Sequence, residues 1–173
     1  KVSTAREGTS LRDDMVSGIR FVMGAPAVLS VLVLGLVPTL FGWTYIILLP
    51  VFAGSVLGMG ASGYGLLMAA SGAGAMAGTM VIAFLGDFRH KGLMMVFSTV
   101  VFGITLILFA HSTSVALSLV LMAFVGMASA GTMTVSLALI QILTPDEFRG
   151  RVMGLVTMGW GLMPAGALPL GYL

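Results

Sequence analysis

The sequence predicts an all-α membrane protein whose chain crosses the bilayer several times. Hydrophobic residues make up 58% of its 173 residues and charged residues only 8%, whereas a soluble domain carries about 25% charged residues. All the charged side chains fall into three groups, at 1–20, 87–91 and 146–151, and the intervals between these groups are uncharged. Such long apolar intervals are expected to lie in lipid, where a helix satisfies its own backbone groups.

The first element, residues 1–26, is predicted to be a cytoplasmic linker that contains an amphipathic helix. Leu11, Met15, Ile19 and Val22 recur at helical spacing and would form one apolar stripe. This pattern is typical of a helix that lies on the surface of the bilayer. A solvated linker that merely leads into the membrane is the alternative.

The uncharged intervals predict five spanning helices. Because one span needs about 20 apolar residues, the intervals 21–86 and 92–145 each hold two spans and a turn, and 152–173 holds one. The turn-forming sequences GMGASG and HSTS divide the two long intervals. The predicted spans are 27–57, 64–86, 92–110, 115–143 and 152–173, and Pro38, Gly42 and Pro50 are expected to bend the first.

A pair of spans returns the chain to the side it left, so all three charged groups are predicted to lie on one side of the membrane. Lys and Arg occur in every charged group and in neither dividing turn. Because such residues mark the cytoplasmic side, the expected location is the plasma membrane, with the charged loops in the cytoplasm.

The third charged group is predicted to begin a helix. Thr144 and Glu147 have the spacing of a capping box, with Pro145 at the first helical position. Two further residues, Arg149 and Arg151, are two positions apart, so we expect them to reach different partners.

The second charged group allows two interpretations. Its charges could serve only to set the topology, or Asp87 could dock on another helix end or an arginine and so hold one conformation. The candidate gate residues of the two loops are Asp87, Arg89, Lys91, Asp146, Glu147, Arg149, Gly150 and Arg151.

Small residues and prolines indicate where helices pack closely or bend. Ala70, Gly74 and Gly78 lie four apart, which is typical of close helix contact in membranes. In the last span, a second set is expected to make the helix bendable: Gly161, Pro164 and Gly166.

Several functional classes are disfavoured. The net charge of +2 does not suggest a nucleic-acid partner, and the absence of Cys removes thiol metal sites and disulfides. With no HExxH motif and no acidic residue inside a span, we expect no metal, no cofactor and no enzymatic activity.

Three stretches are informative together: GDFRHKG (86–92), PDEFRGRVMG (145–154) and residues 48–78. They resemble the major facilitator superfamily, specifically the C-terminal half of its twelve-helix transporters. GDFRHKG (86–92) is similar to the family's short loop motif, although Ala83 and Phe88 depart from it. PDEFRGRVMG (145–154) resembles the loop before helix eleven, and residues 48–78 resemble helices seven and eight of the siderophore-exporter and macrolide-efflux branch.

This resemblance implies that the five spans are helices seven to eleven of such a fold, and that the N-terminal half and the last helix are missing. It implies a bacterial inner-membrane efflux antiporter for amphipathic small molecules, working by alternating access and driven by protons through an acid in the missing half. Partners of the loop charges would lie in that half as well. Candidate cavity residues are Phe41, Tyr45 and Gln141. The alternative function is a non-transporting membrane scaffold or assembly subunit.

Overall fold

A computed structural model describes residues 11–85 and 90–161 of the chain. Over these residues the fold is all-α, as the sequence predicted, with six helices and no strand. The helices are α1 (Leu11–Gly24), α2 (Pro26–Val51, continued by a π-helical turn over Phe52–Val56), α3 (Gly60–Leu85), α4 (Lys91–Ala110), α5 (Val115–Leu143) and α6 (Asp146–Gly161).

Four of these helices are long and apolar enough to cross a bilayer. They are Pro26–Val56, Gly60–Leu85, Lys91–Ala110 and Val115–Leu143, with mean hydropathies between 1.7 and 2.5. The fifth predicted span, 152–173, begins inside α6 and continues beyond Gly161 into residues outside the described part of the chain.

The first span, which the sequence predicts to bend, changes helix type near its end. Pro50 has no backbone N–H to donate, and two residues later α2 widens into the π-helical turn. The turn ends where the Leu57 N–H donates to the Phe52 carbonyl at 3.2 Å. Gly58 and Gly60 then adopt φ of 64° and 61°, a conformation that favours glycine and that reverses the chain into α3.

Two buried clusters show that the helices alternate in direction. The first joins the beginnings of α2, α4 and α6 to the end of α5, through Val28, Met95, Val152 and Ile140. The second joins the end of α2 and the end of α4 to the beginnings of α3 and α5; it contains Leu49, Ala53, Leu67, Phe109, Leu121 and Met122. The described charged residues therefore all lie at the end of the bundle that holds the first cluster.

Glycines allow α3 and α5 to touch through their backbones. A Cβ atom at Gly74 would overlap the Ala123 carbonyl, and one at Gly126 would overlap the Ser71 carbonyl. At Gly78 a Cβ would lie 2.5 Å from the Met127 carbonyl oxygen.

Of the predicted packing residues, Gly74 and Gly78 are buried at this contact between α3 and α5. Ala70 is half-buried against the second cluster, Gly161 ends α6, and Pro164 and Gly166 lie outside the described residues.

The capping box predicted at Thr144 is not formed. Thr144 ends α5, where its N–H donates to the Ile140 carbonyl at 3.0 Å. Its side chain is buried, and its hydroxyl has no hydrogen-bond partner among the described residues. Because Thr144 closes α5, α6 begins only at Asp146. The Pro145 carbonyl accepts from the Phe148 and Arg149 N–H groups in the first turn of α6.

Candidate functional site

A groove of about 810 Å³ opens between α2, α5 and α6. Its walls are mainly aliphatic, and none of the described lining residues is charged. They are Leu32, Gly35, Leu36, Pro38, Thr39, Leu40, Gly42, Tyr45 and Ile46 of α2, Ser129, Met133, Ser136, Leu137 and Ile140 of α5, and Leu155 and Val156 of α6. The groove reaches from the charged end of the bundle towards its middle.

The groove's polar groups are few, and one of them is already engaged within the protein. The Thr39 hydroxyl donates to the Gly35 carbonyl at 3.0 Å. Gly35 brings α2 close to α5, because a Cβ there would lie 3.0 Å from the Ser136 Oγ. The surface can therefore accept a largely apolar molecule with a small number of hydrogen-bonding groups.

Of the three predicted cavity residues, only Tyr45 lines this groove. Phe41 is 57% exposed and does not line the groove, although it lies one helical turn from Tyr45. Gln141 is exposed one residue beyond the groove-lining Ile140, and its backbone carbonyl accepts from Arg149 Nη2 at 3.1 Å. Phe41 and Gln141 therefore do not belong to this groove, and their place in a transport cavity stays a prediction.

A polar contact at the charged end joins α1 to α6. Arg151 donates from Nε to the Asp14 Oδ1 at 2.8 Å, and its Nη2 lies 2.6 Å from the same oxygen. Both side chains are partly buried, with 23% of Arg151 and 34% of Asp14 exposed. Charge-assisted hydrogen bonds of this kind are about twice as strong as neutral ones, so this pair is a specific link between the two helices.

Aromatic side chains surround that contact. The rings of Phe21 and Phe148 stack with centroids 4.6 Å apart and planes within 8°. The Arg151 guanidinium carbon lies 5.7 Å from the centre of the Phe148 ring, which permits a cation–π interaction. Gly18 completes the contact, since a Cβ there would lie 3.2 Å from the Arg151 Cβ and 3.5 Å from the groove-lining Leu155. We call the contact formed by Asp14, Gly18, Phe21, Phe148 and Arg151 the α1–α6 clasp.

Two expectations from the sequence bear on the clasp. Arg151 meets Asp14 of this chain, and Arg149 meets Asp146 at 2.8 Å; further partners of these arginines in a missing half stay a prediction. Of the predicted lipid-facing stripe, Met15 and Ile19 are exposed, whereas Val22 is buried, as is Gly18. The helix packs on α6 through the neighbouring face because Gly18 allows a close approach and Asp14 finds a cation there, and the placement of the stripe on a bilayer stays a prediction.

Sequence reasoning missed Asp14, Gly18, Phe21 and Phe148 as site residues. A usable signal exists, because Asp14, Gly18 and Phe21 share one helical face at spacings of four and three. That face was passed over because its residues are acidic, small and aromatic rather than uniformly apolar.

Three other predicted gate residues lie in the first two turns of α6, outside the clasp. Asp146 and Glu147 lie in the first turn of α6, exposed and near the positive end of its dipole, and Gly150 is exposed there. Lys91 is the first residue of α4. Asp87 and Arg89 lie outside the described residues.

The chain matches the model of a known protein family. A model of a major facilitator family, described as transmembrane secretion effector, matches residues 4–173. Neither a curated protein nor a solved structure matches the chain.

Proposed function

Because the chain belongs to the transmembrane secretion effector family of major facilitator transporters, we propose that it is the C-terminal half of a transporter that exports amphipathic small molecules by alternating access. The members of this superfamily are membrane transporters rather than enzymes. Drugs, macrolides or siderophores are the substrate classes that the sequence resemblance suggests.

The groove between α2, α5 and α6 is the observation that supports this substrate class. Its volume of about 810 Å³ lies within the roughly 300–1,000 Å³ of small-molecule sites. Aliphatic walls with a few hydroxyl groups suit an amphipathic molecule, because they remove apolar surface from water while leaving some hydrogen bonds available. In a rocking-bundle mechanism such a groove would form half of a site near the middle of the membrane.

The α1–α6 clasp would act as a latch at the cytoplasmic end of this groove. Leu155 and Val156 of α6 line the groove, and Arg151, one turn earlier on the same helix, is held by Asp14. A movement of α6 that changed the width of the groove would therefore have to carry α1 with it or break the ion pair.

Proton coupling is proposed by analogy with the family branch that the sequence resembles. The uncharged intervals leave no acidic residue within the spans of this chain, and a carboxylate at membrane depth is the usual proton-coupling group. We assign that carboxylate to helices outside these 173 residues. The proposed location is the bacterial inner membrane, with the charged loops in the cytoplasm.

A matched pair of tryptophan substitutions tests the groove. Met133 lines it, whereas Met76 lies exposed on α3 away from the groove. Met133→Trp should fill part of the groove and reduce export of a fluorescent amphipathic dye several-fold, measured as its accumulation in cells that express the intact transporter. Met76→Trp should export the dye as the native protein does.

Expression and membrane insertion of both variants are measured in the same cells. Equal export by the two variants, at equal expression, would contradict the assignment of the groove. Dye accumulation equal to that of cells lacking the protein would contradict the export function for this substrate class.

A further inference from the structure

Helix α1 has a second face that the rest of the described protein does not cover. Its inner face carries the clasp residues of α1 and Val22. The opposite face carries four large apolar side chains, whose exposed fractions run from 39% to 72%: Met15, Val16, Ile19 and Met23. We call these four residues the free face of α1.

Chain connectivity holds this face close to the membrane surface. Only Ala25 separates the end of α1 at Gly24 from the start of the first spanning helix at Pro26. The Ala25 N–H donates to the Val22 carbonyl at 3.2 Å, and the Ala25 carbonyl accepts from the Leu29 N–H at 3.0 Å. With so short and so well bonded a connection, α1 cannot move far from the lipid headgroups.

The charges of α1 are sorted between its two sides. The carboxylate of Asp14 is directed inward to Arg151. At about 100° per residue, the helical register places Arg20 at the edge of the free face, where it is exposed. A cation therefore lies beside the four apolar side chains. Arginine can bury its apolar stem while its guanidinium reaches a phosphate.

We propose that the free face of α1 binds the surface of an anionic bilayer. Met15, Val16, Ile19 and Met23 enter the boundary between headgroups and acyl chains, while Arg20 binds a lipid phosphate. Apolar residues combined with a basic one suit an interfacial helix, and the negative potential of an anionic leaflet attracts Arg20. The inner face stays free to hold α6, so one helix contacts lipid and the clasp at once.

Spin labels at two positions of α1 test this proposal. Because the chain has no cysteine, single-cysteine variants carry one label each. Ile19→Cys reports on the free face, and Ser17→Cys reports on a position off that face, where the native hydroxyl only donates to the Asp14 carbonyl at 2.9 Å. The intact protein is reconstituted into phosphatidylcholine vesicles with or without phosphatidylglycerol, and the collision rates with oxygen and with a water-soluble nickel chelate are compared.

The proposal predicts that the label at Ile19 collides mainly with oxygen and the label at Ser17 mainly with the nickel chelate. Adding phosphatidylglycerol should increase the difference, and Arg20→Gln should reduce that increase. A nickel collision rate at Ile19 equal to that at Ser17 would overturn the proposal. It would also be overturned by a label at Ile19 shielded from both reagents, which indicates coverage by protein, or by equal results in the two lipid mixtures.

Discussion

Neutralising Asp14 should loosen α1 from α6. In Asp14→Asn the side chain keeps its size but loses the charge that two nitrogens of Arg151 contact at 2.6 and 2.8 Å. A hydrogen bond to a charged group contributes about 1.5–3 kcal/mol. The two side chains are 23% and 34% exposed, so water compensates for part of the lost interaction. We therefore expect the free energy that holds α1 against α6 to fall by about 1–2 kcal/mol. The undocked population of α1 should then rise about 5- to 30-fold.

Hydrogen exchange of the α1 backbone amides measures this population directly, because local opening exposes amides without unfolding the whole protein. The matched control is Asp146→Asn, which removes the exposed pair with Arg149, in which the side chains are 47% exposed for Arg149 and 87% for Asp146. That i,i+3 pair contributes at most about 0.5 kcal/mol, so exchange in α1 should not change.

A double-mutant cycle with Arg151→Gln should return a coupling energy of about 1–2 kcal/mol for Asp14 and Arg151, since the residues are in direct contact. Unchanged exchange in Asp14→Asn, or an equal rise in Asp146→Asn, would refute the view that this ion pair holds α1.

Two further variants test the packing and the second charged loop. Gly74→Ala should lower the free energy of unfolding in detergent by roughly 1–3 kcal/mol, because the added Cβ overlaps the Ala123 carbonyl. The control Gly72→Ala should be neutral or stabilising, because nothing lies within 4 Å of its Cβ. Equal effects of the two variants would contradict the close α3–α5 contact. Asp87→Asn should reduce transport in the intact protein without lowering expression, because the resemblance gives this carboxylate a locking role; unchanged transport would leave Asp87 as a topology charge only.

The helix pattern could be predicted because it depends on properties read directly along the chain. Charged side chains are costly in lipid, so the uncharged intervals limit where spanning helices can lie. Their division at Gly58–Gly60 follows from backbone conformations that favour glycine. Small residues four apart also placed Gly74 and Gly78 on one helix face before any partner was known.

The site could be predicted only in part, because its contacts join residues that are distant in sequence. Asp14 and Arg151 are 137 positions apart, and nothing near either residue identifies the other. The apolar stripe of α1 was assigned by hydrophobicity, but the closest packing follows Gly18. Thr144 had the residue spacing of a capping box, yet its position at the end of α5 left no room for that role. The resemblance pointed to α2 as a cavity helix and so to Tyr45, but not to Ser129, Met133 or Ser136 of α5.

Side-specific labelling of single cysteines tests most directly the claim that every charged group faces one compartment. The positions Ser62 and Thr113 are exposed at the uncharged end of the bundle and His90 at the charged end, whereas Ser112, with 3% exposed, is too buried to serve. An impermeant maleimide added to intact cells should label cysteines at 62 and 113, and should label a cysteine at 90 only after the membrane is opened. Labelling at 90 in intact cells, with 62 and 113 protected, would contradict the proposed orientation. Labelling at all three positions would contradict the membrane-spanning arrangement itself.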